Sequence, residues 1–271
     1  MTASRKTIVA FFGITRSLSY TIDAINENVL EPARATGPAS VCCHFFSQNT
    51  IENTRTAESG ALDPNEYRLL EPDRIEFSEP DGFLAEVGFD EIKSFGDHWH
   101  DEFRTVRNLL HQLYSLRRVT RLALEEGAET VLFCRPDLDY HDSFLPVLER
   151  LGDLTEPVIL LPRWQRHKGG FNDRLSVCLG KEAIETYGNR LDDALPFCRE
   201  LGVELHSERL IRYAVTKHRI RAAPLNIRAS RVRSDGRVVN EDFSERSWKM
   251  FRNSVRFQRM MTGQSVGTSG N

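Results

Sequence analysis

Apolar positions fall along the chain in short blocks separated by amphipathic stretches. Residues 7–14, TIVAFFGI, form a β-branched and aromatic run that closes near Gly13 and predict a strand. Residues 20–37 carry Ile22, Ile25 and Val29 on one face and end at Gly37-Pro38, so a helix follows. SVCCHFFS, 40–47, predicts the second strand, and RIEFSEP, 74–80, a short third one by alternation. Between them, 48–66 is polar and holds Gly60 and Pro64, which predicts a loop. Residues 81–100 are mixed and predict no element.

Residues 101–127 give the strongest helical pattern. Val106, Leu109, Leu110, Leu113 and Leu116 make an apolar stripe, Gly127 sits at the C-cap position, and Asn108, Gln112 and Ser115 share another face. TVLFCRP, 130–136, predicts a strand. DSFLPVLERLGD, 142–153, predicts a short helix capped by Asp142 or Ser143, and PVILLPRW, 157–164, another buried strand. Residues 181–202 predict one or two helices, and 207–219 a further one. A late hairpin is expected over 225–239, turning at Asp235-Gly236. Strands alternating with helices imply an α/β fold: a mostly parallel sheet flanked by helices in a single domain. The domain is expected to span 1–243, with 244–271 as a C-terminal helix and flexible tail.

Composition narrows the class. The 271 residues suffice for a sizeable core, and a net charge of −3 gives no global attraction to nucleic acid or membrane. Cys42, Cys43, Cys134, Cys178 and Cys198 include no C-x-x-C pair, which argues against a disulfide framework or structural zinc and for a reducing compartment. No apolar run approaches the roughly 20 residues of a membrane span. A cytoplasmic protein is expected, with attachment to the inner membrane face left open.

In open α/β sheets ligands bind at the carboxyl ends of the strands, and three clusters fall there. GITRS, 13–17, offers Gly13 for close backbone approach, Thr15, and Arg16 as a phosphate clamp. RPDLDY, 135–140, spaces Asp137 and Asp139 as D-x-D. One reading is a Mg²⁺ or Mn²⁺ site shared with substrate phosphates. The other pairs Asp137 with Arg135 and leaves Asp139 to start a turn or cap a helix. GGFNDR, 169–174, holds Asp173 as a candidate base beside Asn172 and Arg174, or as an ion pair with Arg174. His206 either completes the metal site or caps the helix beginning at Ser207, and Glu208 fits that helix N-terminus.

Lys217, Arg219, Arg221, Arg228, Arg231, Arg233 and Arg237 have three readings. They are a nucleic-acid surface, an anion pocket for a diphosphate, or a solvated hairpin face, the last preferred for most of them. SWKMFRNSVRFQRMM, 247–261, suits an anionic membrane or, preferably, packing on the domain or a partner subunit.

FFGITRS, NLLHQLYSL, VLFCRPDLDY, GGFNDRLSVCLG and LHSERLI occur in this order over roughly residues 7–236. On these motifs the chain resembles the glycosyltransferase-like proteins of bacterial surface-polysaccharide synthesis, including the WavE-like lipopolysaccharide family. The resemblance implies a GT-A-like, Rossmann-like fold and a nucleoside-diphosphate-sugar donor. It also implies Mn²⁺ or Mg²⁺ and a glycan or lipid-linked acceptor, with no nucleic-acid partner. It places Gly13, Thr15 and Arg16 at the nucleotide, and Asp137 and Asp139 at the cation and diphosphate. His206 falls near the diphosphate, and Asn172, Asp173 and Arg174 at the sugar or acceptor. Asn108, Gln112 and Arg135 are further candidate contacts to the donor. Many such proteins read RPDL followed by an aromatic residue, so Asp137 alone is the other possible ligand set. A binding or scaffold protein without turnover is the alternative function.

Overall fold

The computed structural model describes residues 5–53 and 58–244. The expected tail helix over 244–271 and the arginines of 247–261 therefore lie almost wholly outside the described residues. Eleven strands and eight α-helices occur among the described residues. The central strand is β1 (Thr7–Gly13), with β2 (Ala39–Phe46) on one side and β6 (Thr130–Cys134) on the other, both parallel to it. Beyond β2 lies β5 (Arg74–Ser78), also parallel. Beyond β6 lie β9 (Ser176–Leu179), β8 (Val158–Pro162) and β10 (Arg221–Leu225), giving the order β10-β8-β9-β6-β1-β2-β5. Only β9 runs against the others, antiparallel to both β6 and β8.

Both faces of this mixed α/β sheet are covered at its centre, which is why β1 and β6 are buried along nearly their whole length, whereas the edge strands β5 and β10 keep polar residues. Val9, Phe11, Val41, Cys43, Leu132 and Cys134 face one layer. That layer is built by α1 (Leu18–Ile25), a π-helical turn over Asn26–Leu30, α2 (Glu31–Thr36) and α5 (Leu145–Leu151). Ile8, Ala10, Phe12, Val131 and Phe133 face the other layer, formed by α4 (Arg104–Glu125), α6 (Lys181–Gly188) and α8 (Ser207–Lys217). A third apolar cluster joins α4 and α8 to α3 (Phe89–Ser94) and α7 (Ala194–Leu201). All five cysteines are buried in these layers as free thiols. No helix among the described residues is long and apolar enough to cross a membrane.

The structure differs from the sequence pattern in four places, the first being α3, which forms within the stretch 81–100 where no element is predicted. The expected 48–66 loop contains an antiparallel pair, β3 (Thr50–Asn53) with β4 (Glu58–Ala61), whose polar residues carry no strand periodicity. The four-residue β9 went unpredicted because so short a run does not separate from its polar flanks. The late hairpin splits. Its first residue, Leu225, ends β10, where Pro224 is tolerated because the strand lies at the sheet edge. Next, β11 (Ala229–Arg231) pairs instead with β7 (Leu138–Tyr140). Only the turn remains as expected, with Val232 bridging Val238 and Gly236 at φ 81°.

Candidate functional site

From β1 the chain builds outward to β2 and β5, then returns across β1 to begin β6 on its other side. The crevice between the carboxyl ends of β1 and β6 is thus the point where strand order reverses, the usual ligand position in such sheets. A cavity of about 460 Å³ opens there. Phe12, Gly13 and Arg16 line it from the end of β1, Arg135 and Asp137 from the end of β6, and Asn108, His111 and Gln112 from α4. Arg231 and Arg233 close it from the segment after β10, and Gln48 with β3 forms its rim. Thr15 sits half-buried in the same turn without lining the cavity.

A polar network fixes the strand end. Gly13, at φ 109°, donates its N–H to Ser115 Oγ at 2.8 Å. The Ser115 hydroxyl donates to the His44 carbonyl at 2.7 Å and lies 2.9 Å from His44 Nδ1. With that hydroxyl hydrogen spent, the Nδ1 nitrogen must be the donor, leaving Nε2 to accept from Ser78 Oγ at 3.0 Å. Burial lowers the His44 pKa to about 4, so the ring is neutral.

Asp137 is 2 % exposed. Arg135 Nε reaches its Oδ1 at 2.8 Å and Arg135 NH2 its Oδ2 at 2.6 Å, while Arg16 also grips Oδ2. Burial alone would raise its pKa, but Arg135 and Arg16 outweigh burial and hold the carboxyl well below the usual range. The pairing of Asp137 with Arg135 is therefore the reading that the geometry realises. Gln112 Oε1 accepts from Arg135 NH1 at 3.4 Å.

Asp139 goes elsewhere. It lies on β7 opposite Ser230, its carboxylate 3.8 Å from His141. His206 is the N-cap residue of α8 and stacks on Trp99, ring centroids 5.7 Å apart at 19°. Asp137, Asp139 and His206 are not brought together, and no group of three metal-ligating side chains occurs among the described residues. Their donor set does not fit the expected Mn²⁺ or Mg²⁺: one carboxylate is spent on two guanidinium groups, and the other two groups sit on different elements.

Asp173, Asn172, Arg174 and His206 do not line the cavity but form a second group, linked to it by the charge of Asp173 acting on Arg135. Asn172 is fully buried and shapes the loop: its Nδ2 donates to the Trp164 carbonyl at 3.0 Å, and its Oδ1 accepts from the Arg174 N–H at 3.0 Å. Arg174 pairs with Glu241 at 3.3 Å and lies over the Trp164 ring. That replaces the expected ion pair with Asp173. Asp173 is half-buried and makes no hydrogen bond or ion pair among the described residues, yet its charge reaches Arg135, Arg174, His206 and Glu208. Burial lowers the His206 pKa to about 4 against the pull of Asp173. Burial and Asp173 together raise Glu208 to about 8, so Glu208 carries its proton at neutral pH.

Several residues at the site were hidden in the sequence. Arg233 is buried and Arg231 half-buried, so the solvated-face reading fails for both. Arg233 reaches Glu58 at 3.3 Å and Arg231 reaches Glu241 at 2.7 Å. Arg16 also reaches Glu58, at 3.2 Å. Glu58 and Glu241 sat in segments without motif or periodicity, so no sequence signal marked them.

No family model matches this chain, and no curated protein matches it either. Among solved structures it is similar to mouse xyloside xylosyltransferase 1 in its apo form, at 12% identity and a TM-score of 0.44. The match covers 81% of this chain and 84% of that one.

Proposed function

We propose that the protein is a glycosyltransferase that takes its sugar from a nucleoside-diphosphate donor. The observation that carries this reading is the arginine-lined cavity at the reversal point of the sheet, with the charge of Asp173 reaching Arg135 on its wall. Its size suits a nucleotide. The order of the five motifs, from FFGITRS to LHSERLI, supports the same reading from the sequence. Gly13 lets the donor approach the end of β1. Arg16 and Arg135 receive the diphosphate, and Asn108 and Gln112 contact the nucleotide side.

Asp173 is the base. It takes the proton of an acceptor hydroxyl as that oxygen bonds to the anomeric carbon and the bond to the diphosphate breaks. Such a displacement inverts the anomeric centre. Asn172 and Arg174 hold the loop that presents Asp173. The acceptor is a glycan hydroxyl, as in surface-polysaccharide synthesis.

The test is release of UDP, GDP or CDP from a panel of nucleotide sugars, with and without glycan acceptors. One donor should turn over, with Asp173→Asn slower by about 10²–10⁴-fold. Tight donor binding with no release in any condition would leave a binding or scaffold protein instead.

A further inference from the structure

The cavity wall has a layered charge arrangement. Arg16, Arg135, Arg231 and Arg233 line it, whereas Glu58 and Glu241, the carboxylates that anchor three of them, do not. The side chains of Glu58 and Glu241 are 2% and 0% exposed, against 9% for Arg16 and Arg233 and 29% for Arg231. Glu58 and Glu241 therefore stand behind and the guanidinium groups in front, while Glu52, the other lining carboxylate besides Asp137, is exposed on β3. Asp137 is the one buried carboxylate at the wall, and both its oxygens are taken by Arg135 and Arg16. A cation there would have to displace two guanidinium groups from a buried carboxylate, leaving Arg135 with no carboxylate partner and Arg16 with Glu58 alone, at a high desolvation cost. Two donors at the wall, Arg16 Nε and Gln112 Nε2, are buried and make no hydrogen bond among the described residues. Guanidinium forks match phosphate oxygens in pairs and keep their charge at any working pH.

We infer that this cavity binds a diphosphate group directly on Arg16, Arg135, Arg231 and Arg233, without a divalent cation. The inference rests on the donor reading above for the identity of the natural ligand, but the arginine wall itself does not. The guanidinium groups take over the neutralisation of the leaving diphosphate that a metal supplies in other sites. Asp137 is a positioning residue, holding Arg16 and Arg135 at a fixed separation.

The test is calorimetric titration of the full chain with inorganic diphosphate and with UDP, GDP and CDP, each in EDTA and in Mn²⁺. Diphosphate should bind in EDTA with a Kd within about threefold of that in Mn²⁺. In Arg231→Gln the Kd should rise about tenfold or more, since a hydrogen bond to a charged group is lost. Binding of diphosphate only with Mn²⁺, or in neither medium, would overturn the inference. Metal-dependent binding of a nucleotide would overturn it while leaving the donor reading intact. Metal-free binding of diphosphate with no nucleotide bound would uphold the arginine site and remove the donor reading.

Discussion

The guanidinium of Arg135 spans the carboxylate of Asp137, two positions further along the chain, with Nε to Oδ1 at 2.8 Å and NH2 to Oδ2 at 2.6 Å. This fork turns a motif that reads as a metal site into a buried ion pair. Removing the charge of Asp137 leaves Arg135 with no carboxylate partner and Arg16 with Glu58 alone. Asp137→Asn should destabilise the ligand-free protein by about 3–5 kcal/mol, measured by urea unfolding in EDTA. A metal-ligand role alone predicts the opposite. Neutralising an unpaired carboxylate would leave the stability in EDTA unchanged or higher.

His44 gives a pH signature. Its unfolded value is the ordinary 6.5 and its folded value is about 4, chiefly because burial penalises the charged ring. The folded state therefore binds fewer protons in this window. Stability from His44 is complete above 6.5 and is lost as pH falls toward 4, by on the order of 3 kcal/mol. Glu208 acts in the opposite sense: a carboxyl raised to about 8 contributes stability below 4.5 that is lost as pH rises to 8. The wild-type curve mixes the two, so the readout is the difference from His44→Gln. Between pH 6.5 and 4.5 the variant should lose less stability than the wild type. Parallel curves would show that the ring does not titrate with folding.

Gly170 is pressed against the first turn of α8. A Cβ there would overlap the backbone carbonyl of Glu208, which also accepts the Phe171 N–H at 3.0 Å. Backbone on an anchored helix cannot move aside as a flexible side chain would. Gly170→Ala should cost about 1–3 kcal/mol in urea unfolding, with Gly60→Ala, which meets nothing within 4 Å, as the mild comparison. Equal effects in the two variants would mean that α8 yields.

The legible parts of this protein were those in which one local pattern decides the outcome. TIVAFFGI and TVLFC became neighbouring parallel strands because a strand covered on both faces is apolar at every position. The long helix was equally plain, since its stripe of Val106, Leu109, Leu110, Leu113 and Leu116 all turned inward. Gly13, Arg16, Arg135 and Asp137 were readable as a site because they follow strands of this sort. What could not be read were relations between distant segments. Arg233 meets Glu58 across 175 positions, and Ser115 meets Gly13 across 102. The spacing of Asp137 and Asp139 gave no sign that a strand paired with Ser230 would carry the second carboxylate away.

The five buried thiols have a practical side. Burial pushes Cys42, Cys134, Cys178 and Cys198 to about 12 and Cys43 well above its ordinary value, so folded protein presents almost no thiolate to an alkylating reagent. Cys42 and Cys43 lie on β2, Cys134 on β6, Cys178 on β9 and Cys198 on α7, so each thiol clocks the opening of its own element. Mass-resolved labelling would then follow the molecule's breathing without any added probe. Synchronous modification of all five would mark a single cooperative unit, and early modification of Cys198 alone would mark the helical corner around α7 as the first part to loosen.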